Sequence, residues 1–146
     1  MRWAPTSAVV VLLGCGGSRT TGTPILSPGV IEEPVTAVLV AALKADSRLE
    51  TADSLWDPDA TVVANGELRS APPRFAGIER GGEVAITSSR LEVRQSLIWV
   101  FLEYRWLSVK EGTARAGRAT VLLTPRPEGA GWKIIHLHSS TPPASE

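Results

Sequence analysis

Apolar and polar residues alternate with a helical period between residues 34 and 56. We predict that a first helix begins at Pro34, because the first turn does not need the backbone N–H that proline lacks. The apolar residues that follow recur at intervals of three and four, which gives the helix one buried face. This face comprises Val35, Val38, Leu39, Ala42 and Leu43.

A second helix is predicted directly after the first. Ser47 and Glu50 have the spacing of a capping box, in which each side chain binds a backbone N–H of the other residue. The run Asp57-Pro58-Asp59 would end this helix, because proline disfavours helical backbone at the residue before it. The apolar stripe between these signals comprises Leu49, Ala52, Leu55 and Trp56.

The remaining chain has the pattern of β-strands. A short strand over 61–64 is followed by Asn65-Gly66, the dipeptide best suited to a two-residue hairpin turn. Residues 67–87 contain prolines and glycines that interrupt any period, so we expect a loop with one helical turn at most. Further strands are predicted at 90–95, 98–109, 115–124 and 132–140. Helices followed by strands predict an α+β domain with a largely antiparallel sheet.

The first fifteen residues differ from the rest of the chain. A single Arg2 precedes an apolar run over 8–13, and the run Leu12-Leu13-Gly14-Cys15 resembles a bacterial lipobox. The resemblance implies that residues 1–14 form a signal peptide and that Cys15 is acylated, which would anchor the chain in a membrane of the cell envelope. Gly16, rather than Asp, follows the cysteine. The resemblance therefore implies that the protein is anchored in the outer membrane if the cell has one. The alternative is an accidental apolar start with a stray cysteine.

The composition of the chain predicts the domain boundaries and argues against a nucleic-acid partner. Residues 15–33 are rich in Gly, Ser, Thr and Pro and are predicted to be a flexible tether, whereas 34–141 form the folded domain and 142–146 a disordered tail. The 15 basic and 15 acidic residues cancel, and no basic stripe stands out. We therefore expect no nucleic-acid partner.

Three segments carry a family resemblance. They are Leu55-Trp56-Asp57-Pro58-Asp59-Ala60, then Asn65-Gly66, and the closing run 131–140, Gly-Trp-Lys-Ile-Ile-His-Leu-His-Ser-Ser. They resemble the SnoaL-like branch of the nuclear transport factor two-like superfamily, and the closing run is similar to the end of the association domain of calcium/calmodulin-dependent protein kinase II. The resemblance covers residues 34–141. It implies a cone-shaped, strongly curved, mostly antiparallel sheet wrapped around N-terminal helices, with a pocket at the open end. Residues 67–87 depart from it, being richer in Gly and Pro than the third helix usually found there.

The closing strand supplies the main candidates for a binding site. Strand alternation places Trp132, Ile134, His136, His138 and Ser140 on one face, and the resemblance implies that this face points into the cone. Two imidazoles on an apolar face suit an acid–base site or an anion site. We predict a ligand pocket formed by Trp56, Arg105, Trp132, His136 and His138. The alternative is that the two histidines are hydrogen-bonded core residues and that Arg105 forms a surface pair with Glu103.

Asp46 is the candidate catalytic carboxylate, together with His136. If the first helix continues through Asp46, its side chain follows Ala42 and Leu43 on the apolar face, where burial would raise its pKa. The competing interpretation, which we favour here, is that Asp46 caps the second helix. His136 and His138 could bind a metal ion only with a third ligand, and the chain has no other histidine. Glu103 or Asp46 would have to serve, so we expect no metal site. No cofactor is expected either.

Two function classes remain open at this level. The first is a small-ligand-binding or assembly module, which we prefer, with a small anionic or carbonyl-bearing ligand. The second is an acid–base isomerase, cyclase or dehydratase, which would need a carboxylate facing a histidine across the pocket. We also expect a homodimer. The predicted strand 98–109 carries aromatic residues on both faces, more than the helices can cover: Trp99, Phe101, Tyr104 and Trp106.

Overall fold

The computed structural model describes residues 28–127 and 130–142, with backbone alone at 28–30. The signal peptide, Cys15, the tether up to residue 27 and the last four residues therefore lie outside the described residues. The chain forms one long helix and a six-stranded sheet. No helix in the described ranges is long and apolar enough to cross a bilayer.

The helix α1 spans Pro28–Arg48. The predicted start at Pro34 is wrong, because the helix takes in residues 28–33 of the predicted tether and Pro34 lies within it. The predicted apolar face is confirmed, since its residues are buried or partly buried in the core. Leu49 ends the helix in a left-handed conformation, φ 57°. Its N–H donates to the Asp46 carbonyl at 3.0 Å, which satisfies one of the last helical carbonyls.

The predicted second helix is wrong. Residues 53–55 form only a single 3₁₀ turn (Asp53–Leu55), and Trp56 already begins a strand. Ser47 does not cap a new helix, because its hydroxyl donates to the Lys44 carbonyl within α1 at 2.9 Å. Pro58 lies in the first strand at an interruption of the pairing between Trp56 and Thr61, where no ladder N–H is required.

The six strands are β1 (Trp56–Ala64), β2 (Glu67–Leu68), β3 (Val84–Arg94), β4 (Leu97–Leu107), β5 (Ala114–Pro125) and β6 (Trp132–Ser140). Their order across the sheet is β2-β1-β6-β5-β4-β3. All neighbours are antiparallel except β1 and β6, which are parallel. The sheet is open, with β2 and β3 at its edges. The predicted α+β class and the later strands are confirmed, although β2 and the start of β3 replace part of the loop predicted at 67–87.

The turn between β1 and β2 is the predicted hairpin. Asn65 and Gly66 both have positive φ, 51° and 81°, as a two-residue turn of this hand requires. The side chain of Asn65 also holds the end of β6, because the Thr141 N–H donates to its Oδ1 at 2.9 Å.

The two faces of the sheet have different environments. We call the face that packs against α1 and the 69–83 loop the inner face, and the opposite side the outer face. Strand β4 alternates strictly between them. Its buried inner residues are Ile98, Val100, Leu102, Tyr104 and Trp106, and its exposed outer residues are Trp99, Phe101, Glu103 and Arg105.

Candidate functional site

A β-bulge in β6 determines where the histidines lie. Opposite β5, Leu122 pairs with His136 and Leu123 pairs with Ile134, so Ile135 is an extra residue on the β6 side. The bulge reverses the alternation. Trp132 and Ile134 face inward before it, and Leu137 and Ser139 face inward after it. His136, His138 and Ser140 therefore lie on the outer face.

The expectation that both histidines point into the cone is wrong for this reason. The five residues predicted to form one pocket are divided between the two faces of the sheet. Trp56 and Trp132 are buried in the core. Arg105 and His138 are exposed on the outer face, and His136 is half-buried there. A ligand-binding role for any of them remains a prediction, but they do not line a common cavity.

The outer face carries an exposed aromatic pair. Trp99 is 37% exposed and Phe101 is 42% exposed, and their ring centroids lie 6.5 Å apart. A row of paired residues runs across three strand boundaries from Arg90 through Phe101 and Thr120 to His138. Phe101 and His138, together with other side chains of these strands, line a shallow groove of about 460 Å³.

Ion pairs surround the aromatic pair. Arg118 Nε contacts Glu103 Oε1 at 3.0 Å, so the partner of Glu103 is on the neighbouring strand and is not Arg105, as the alternative interpretation of Arg105 had it. Arg94 Nη2 contacts Glu92 Oε2 at 3.3 Å, and Arg90 binds the other Glu92 oxygen. The Arg90 and Arg94 hydrogen bonds lower the pKa of Glu92. These pairs are exposed, so solvent screening leaves each of them with little effect on stability.

Asp46 occupies the inner side. Only 1% of its surface is exposed, as expected if the first helix continues through it. Its Oδ2 accepts the backbone N–H groups of Arg74 at 2.8 Å and Phe75 at 2.7 Å. Burial raises its pKa from 3.8 to about 6, opposed by the Phe75 and Arg74 N–H groups and by the positive charge of Arg74. The favoured interpretation of Asp46 as a cap for a second helix is wrong.

The loop that Asp46 holds contains inner-side residues that the sequence did not reveal. The Arg74 guanidinium lies 4.7 Å from the centroid of the Trp56 ring, and its Nη1 donates to the Thr51 carbonyl at 2.5 Å. The Ala76 N–H donates to Ser139 Oγ at 2.9 Å. No sequence pattern marks Arg74 as buried, because the Thr51 carbonyl that it binds lies 23 residues away along the chain.

Tyr104 completes this polar cluster. Its hydroxyl donates to the Ala76 carbonyl at 2.7 Å, and burial raises its pKa above the ordinary value. Its ring covers Gly117 on β5, where an added Cβ would come within 2.5 Å of the ring. A glycine is required there by this close approach. The interior polar groups are thus used to fix residues 74–76 against the sheet.

Asp46 and the histidines are on opposite sides of the sheet. Ser139 points toward the loop that Asp46 anchors, and its neighbour His138 points the other way, as adjacent strand residues must. The predicted pairing of Asp46 with His136 as acid and base is therefore not formed. Within the described residues, no group of three His, Cys, Asp or Glu side chains could hold a metal ion.

The fold consists of a helix packed on one face of an open mixed sheet, and buried polar side chains between them bind the loop 74–76. This arrangement defines the class of the protein. The chain belongs to the SnoaL-like domain family, whose model matches residues 35–145. No match was found among curated proteins.

Solved structures share the fold at low sequence identity. An NTF2-like superfamily protein from Salmonella enterica serovar Typhimurium is 12% identical with a TM-score of 0.62, over 82% of this chain and 96% of that one. A Nostoc punctiforme protein with a cystatin-like fold is 6% identical with a TM-score of 0.64, over 79% and 93%. The association domain of C. elegans CaMKII is 16% identical with a TM-score of 0.58, over 77% and 97%. The predicted superfamily fold is confirmed, with one α-helix over residues 28–127 and 130–142 in place of the predicted helices.

Proposed function

We propose that this domain is an assembly module that forms a homodimer through the outer face of its sheet. The observation that carries the proposal is the exposed pair Trp99 and Phe101 on β4, next to the edge strand β3. Exposed aromatic residues are typical of the centre of a protein–protein interface, where a few such side chains supply most of the binding energy. A second copy of the same chain is the partner that the surrounding charges fit best.

The charges on the outer face suit self-association because both signs lie on one surface. Arg118 and Glu103 lie on one side of Phe101, and Arg90 and Glu92 lie on the β3 side. In a two-fold interface the same patch meets itself in the opposite direction, so each basic residue can approach an acidic residue of the other copy. The fold is shared with the association domain of C. elegans CaMKII and with the CaMKII hub homology domain of Chlamydomonas reinhardtii, which supports the same partner.

The enzymatic alternative is less well supported. An isomerase, cyclase or dehydratase of the predicted kind needs a carboxylate and an imidazole that reach the same substrate. Here the backbone of β6 lies between Asp46 and His138. The carboxylate is also occupied by two backbone N–H groups of the 74–76 loop. A structural role accounts for both contacts without any substrate.

A small anion is a second candidate for the outer face. The groove beside Phe101 is also lined by Arg90, Arg118 and His138, which can all carry positive charge. A carboxylate ligand would stabilise the protein against heat, and the stabilisation would disappear in Arg118→Ala. Stabilisation that is equal in Arg118→Ala and the wild type would rule out this site.

The lipid anchor remains part of the proposal. Cys15 would hold the domain at a membrane of the cell envelope, and residues 16–27 would separate it from helix α1 by about 40 Å at most. Cys15→Ala should remove a lipid mass increment and release the protein from the membrane fraction. Wild-type protein that is wholly soluble and carries no lipid would contradict the anchor.

The dimer is tested with Phe101→Glu in the full chain carrying Cys15→Ala, which avoids detergent. The substitution removes the central ring and places two like charges at the two-fold interface. We expect the dissociation constant measured by sedimentation equilibrium to rise at least thirtyfold, which corresponds to about 2 kcal/mol. Leu68→Glu is the matched control, because Leu68 is 79% exposed on β2 and lies off the outer aromatic pair.

Leu68→Glu should leave the dissociation constant unchanged. A wild-type chain that remains monomeric at about 100 μM, well above the micromolar range of ordinary specific association, would overturn the proposal. Leu68 lies at the β2 edge of the same face, because it pairs with Val63 and Val63 pairs with His138. An equal effect of the two substitutions would therefore show that the aromatic pair is not the centre of the interface.

A further inference from the structure

Both histidines of the chain lie within the surface proposed for the dimer. His136 pairs with Leu122 on β5, which in turn pairs with Trp99 on β4. His138 pairs with Thr120, which pairs with Phe101. The β6 bulge brings the two imidazoles to the same side as the two aromatic rings. They would therefore be covered when a second copy binds.

The fold of the single copy does not use these side chains for hydrogen bonding. No hydrogen bond joins either imidazole to another residue in the ranges 28–127 and 130–142, whereas the adjacent Ser139 is bonded to the loop. A histidine retained only for folding would be expected to have such a partner when it is partly buried. A change at these two side chains would therefore break no hydrogen bond of the core.

The charged groups that face the imidazoles carry a positive excess. Alternation and strand pairing place them on β1 and on β3 to β6, and two of the four acidic ones, Glu92 and Glu103, are already paired with arginines. The basic members are Arg90 and Arg94 on β3, Arg105 on β4, Arg118 on β5 and Lys133 on β6, and the acidic members are Asp57 and Asp59 on β1, Glu92 on β3 and Glu103 on β4.

We infer that His136 and His138 make the homodimer dissociate in acid, so that the outer face acts as a pH-controlled interface. This inference rests on the proposed dimer. A two-fold interface contains two copies of each imidazole, so full protonation adds four positive charges to a surface where basic groups already prevail. In the separated copies water solvates these charges. Acid therefore favours the monomer.

The pH range follows from the side chain itself. Histidine is the residue type whose charge ordinarily changes between about pH 5 and 8, whereas arginine as a residue type ordinarily titrates above this range and carboxyl groups below it. We expect the dissociation constant of the dimer to rise at least about tenfold between pH 8 and pH 5.5. This factor corresponds to about 1.4 kcal/mol of added repulsion.

The experiment is sedimentation equilibrium of the full chain with Cys15→Ala at pH 8 and pH 5.5. It compares the parent protein with His136→Gln/His138→Gln, in which neither side chain can be protonated but both remain polar. A third variant, Glu103→Gln, removes a carboxylate that offsets the added charge and should make the dimer more sensitive to acid. Circular dichroism at both pH values verifies that every variant is folded.

The inference is supported if the parent dimer weakens tenfold or more at pH 5.5 and the double glutamine variant does not. A parent dimer of equal affinity at both pH values overturns the inference and leaves the dimer intact. Equal acid sensitivity of the parent and the double variant also overturns it, by assigning the effect to other groups. A parent that is monomeric at both pH values refutes the proposed dimer itself.

Discussion

The side chains on the two faces of β4 differ in their burial and in their contacts. On the inner face, Tyr104 is fully buried, packs over Gly117 and donates a hydrogen bond to the Ala76 carbonyl. On the outer face, Phe101 lies only three residues earlier, is 42% exposed and packs beside Trp99. Both faces are rich in aromatic residues, so composition does not distinguish them. The difference shows that the inner face contributes to folding, whereas the side chains of the outer face are exposed and form the surface that we propose for association.

The largest expected effect comes from truncating one ring on each face. Tyr104→Ala should lower the free energy of unfolding by about 3 to 5 kcal/mol, because it leaves a cavity and removes a buried hydrogen bond. Phe101→Ala should lower it by about 1 kcal/mol or less, because the ring is partly in water. Urea unfolding at a protein concentration where both are monomeric measures the two values. Equal losses would show that the outer face also contributes to folding.

The pH dependence of stability tests the burial of Asp46. Its pKa is about 6 in the folded chain, compared with the ordinary aspartate value of 3.8 that applies to the unfolded chain. Because the folded value is the higher one, its contribution is fully present below about pH 4 and is lost as the pH rises through 6. The loss should reach about 3 kcal/mol. Urea unfolding of the wild type and of Asp46→Asn at pH 4 and pH 7.5 isolates the contribution of Asp46 to the unfolding free energy, because the other titrating groups are common to both proteins.

The wild type should lose more stability than Asp46→Asn over that range. If the two proteins show the same change with pH, the carboxylate is not desolvated as its burial implies.

Adjacent serines of β6 provide a smaller comparison between the faces. Ser139 is buried and accepts the Ala76 N–H, whereas Ser140 is exposed on the outer face. Ser139→Ala leaves a buried donor without a partner and should cost about 1 to 3 kcal/mol in unfolding free energy. Ser140→Ala should change it by less than about 0.5 kcal/mol. Thermal unfolding of both variants is sufficient, and a reversed order would contradict the position of the bulge.

The smallest effect is expected at an ion pair of the outer face. Glu103→Gln removes the contact with Arg118, which is exposed to solvent. Its unfolding free energy should change by less than about 1 kcal/mol, and high salt should reduce the difference further. Urea unfolding at low and high salt measures this. A larger loss that persists in salt would indicate that the pair supports the fold rather than the interface.

Local patterns were sufficient for the elements whose stability is local. The apolar spacing of α1, the alternation of β4 and β5 and the turn at Asn65-Gly66 are each encoded within a few neighbouring residues. The prediction of a second helix was wrong for a related reason. A capping box and a short apolar stripe lack the packing surface that stabilises most helices. Ala52 instead adopts a left-handed conformation with φ 49°, which ends any helical run.

The sequence by itself determined the class of fold and the order of its later strands, whereas a buried Asp46 with a raised pKa was only the less favoured of two interpretations. Only the tertiary structure decided which way the histidines face and what Asp46 binds. One extra residue in β6, Ile135, reverses every side chain after it, because strand alternation has a period of two. The loop held by Asp46 lies 28 residues further along the chain, and no local pattern encodes a contact of that separation.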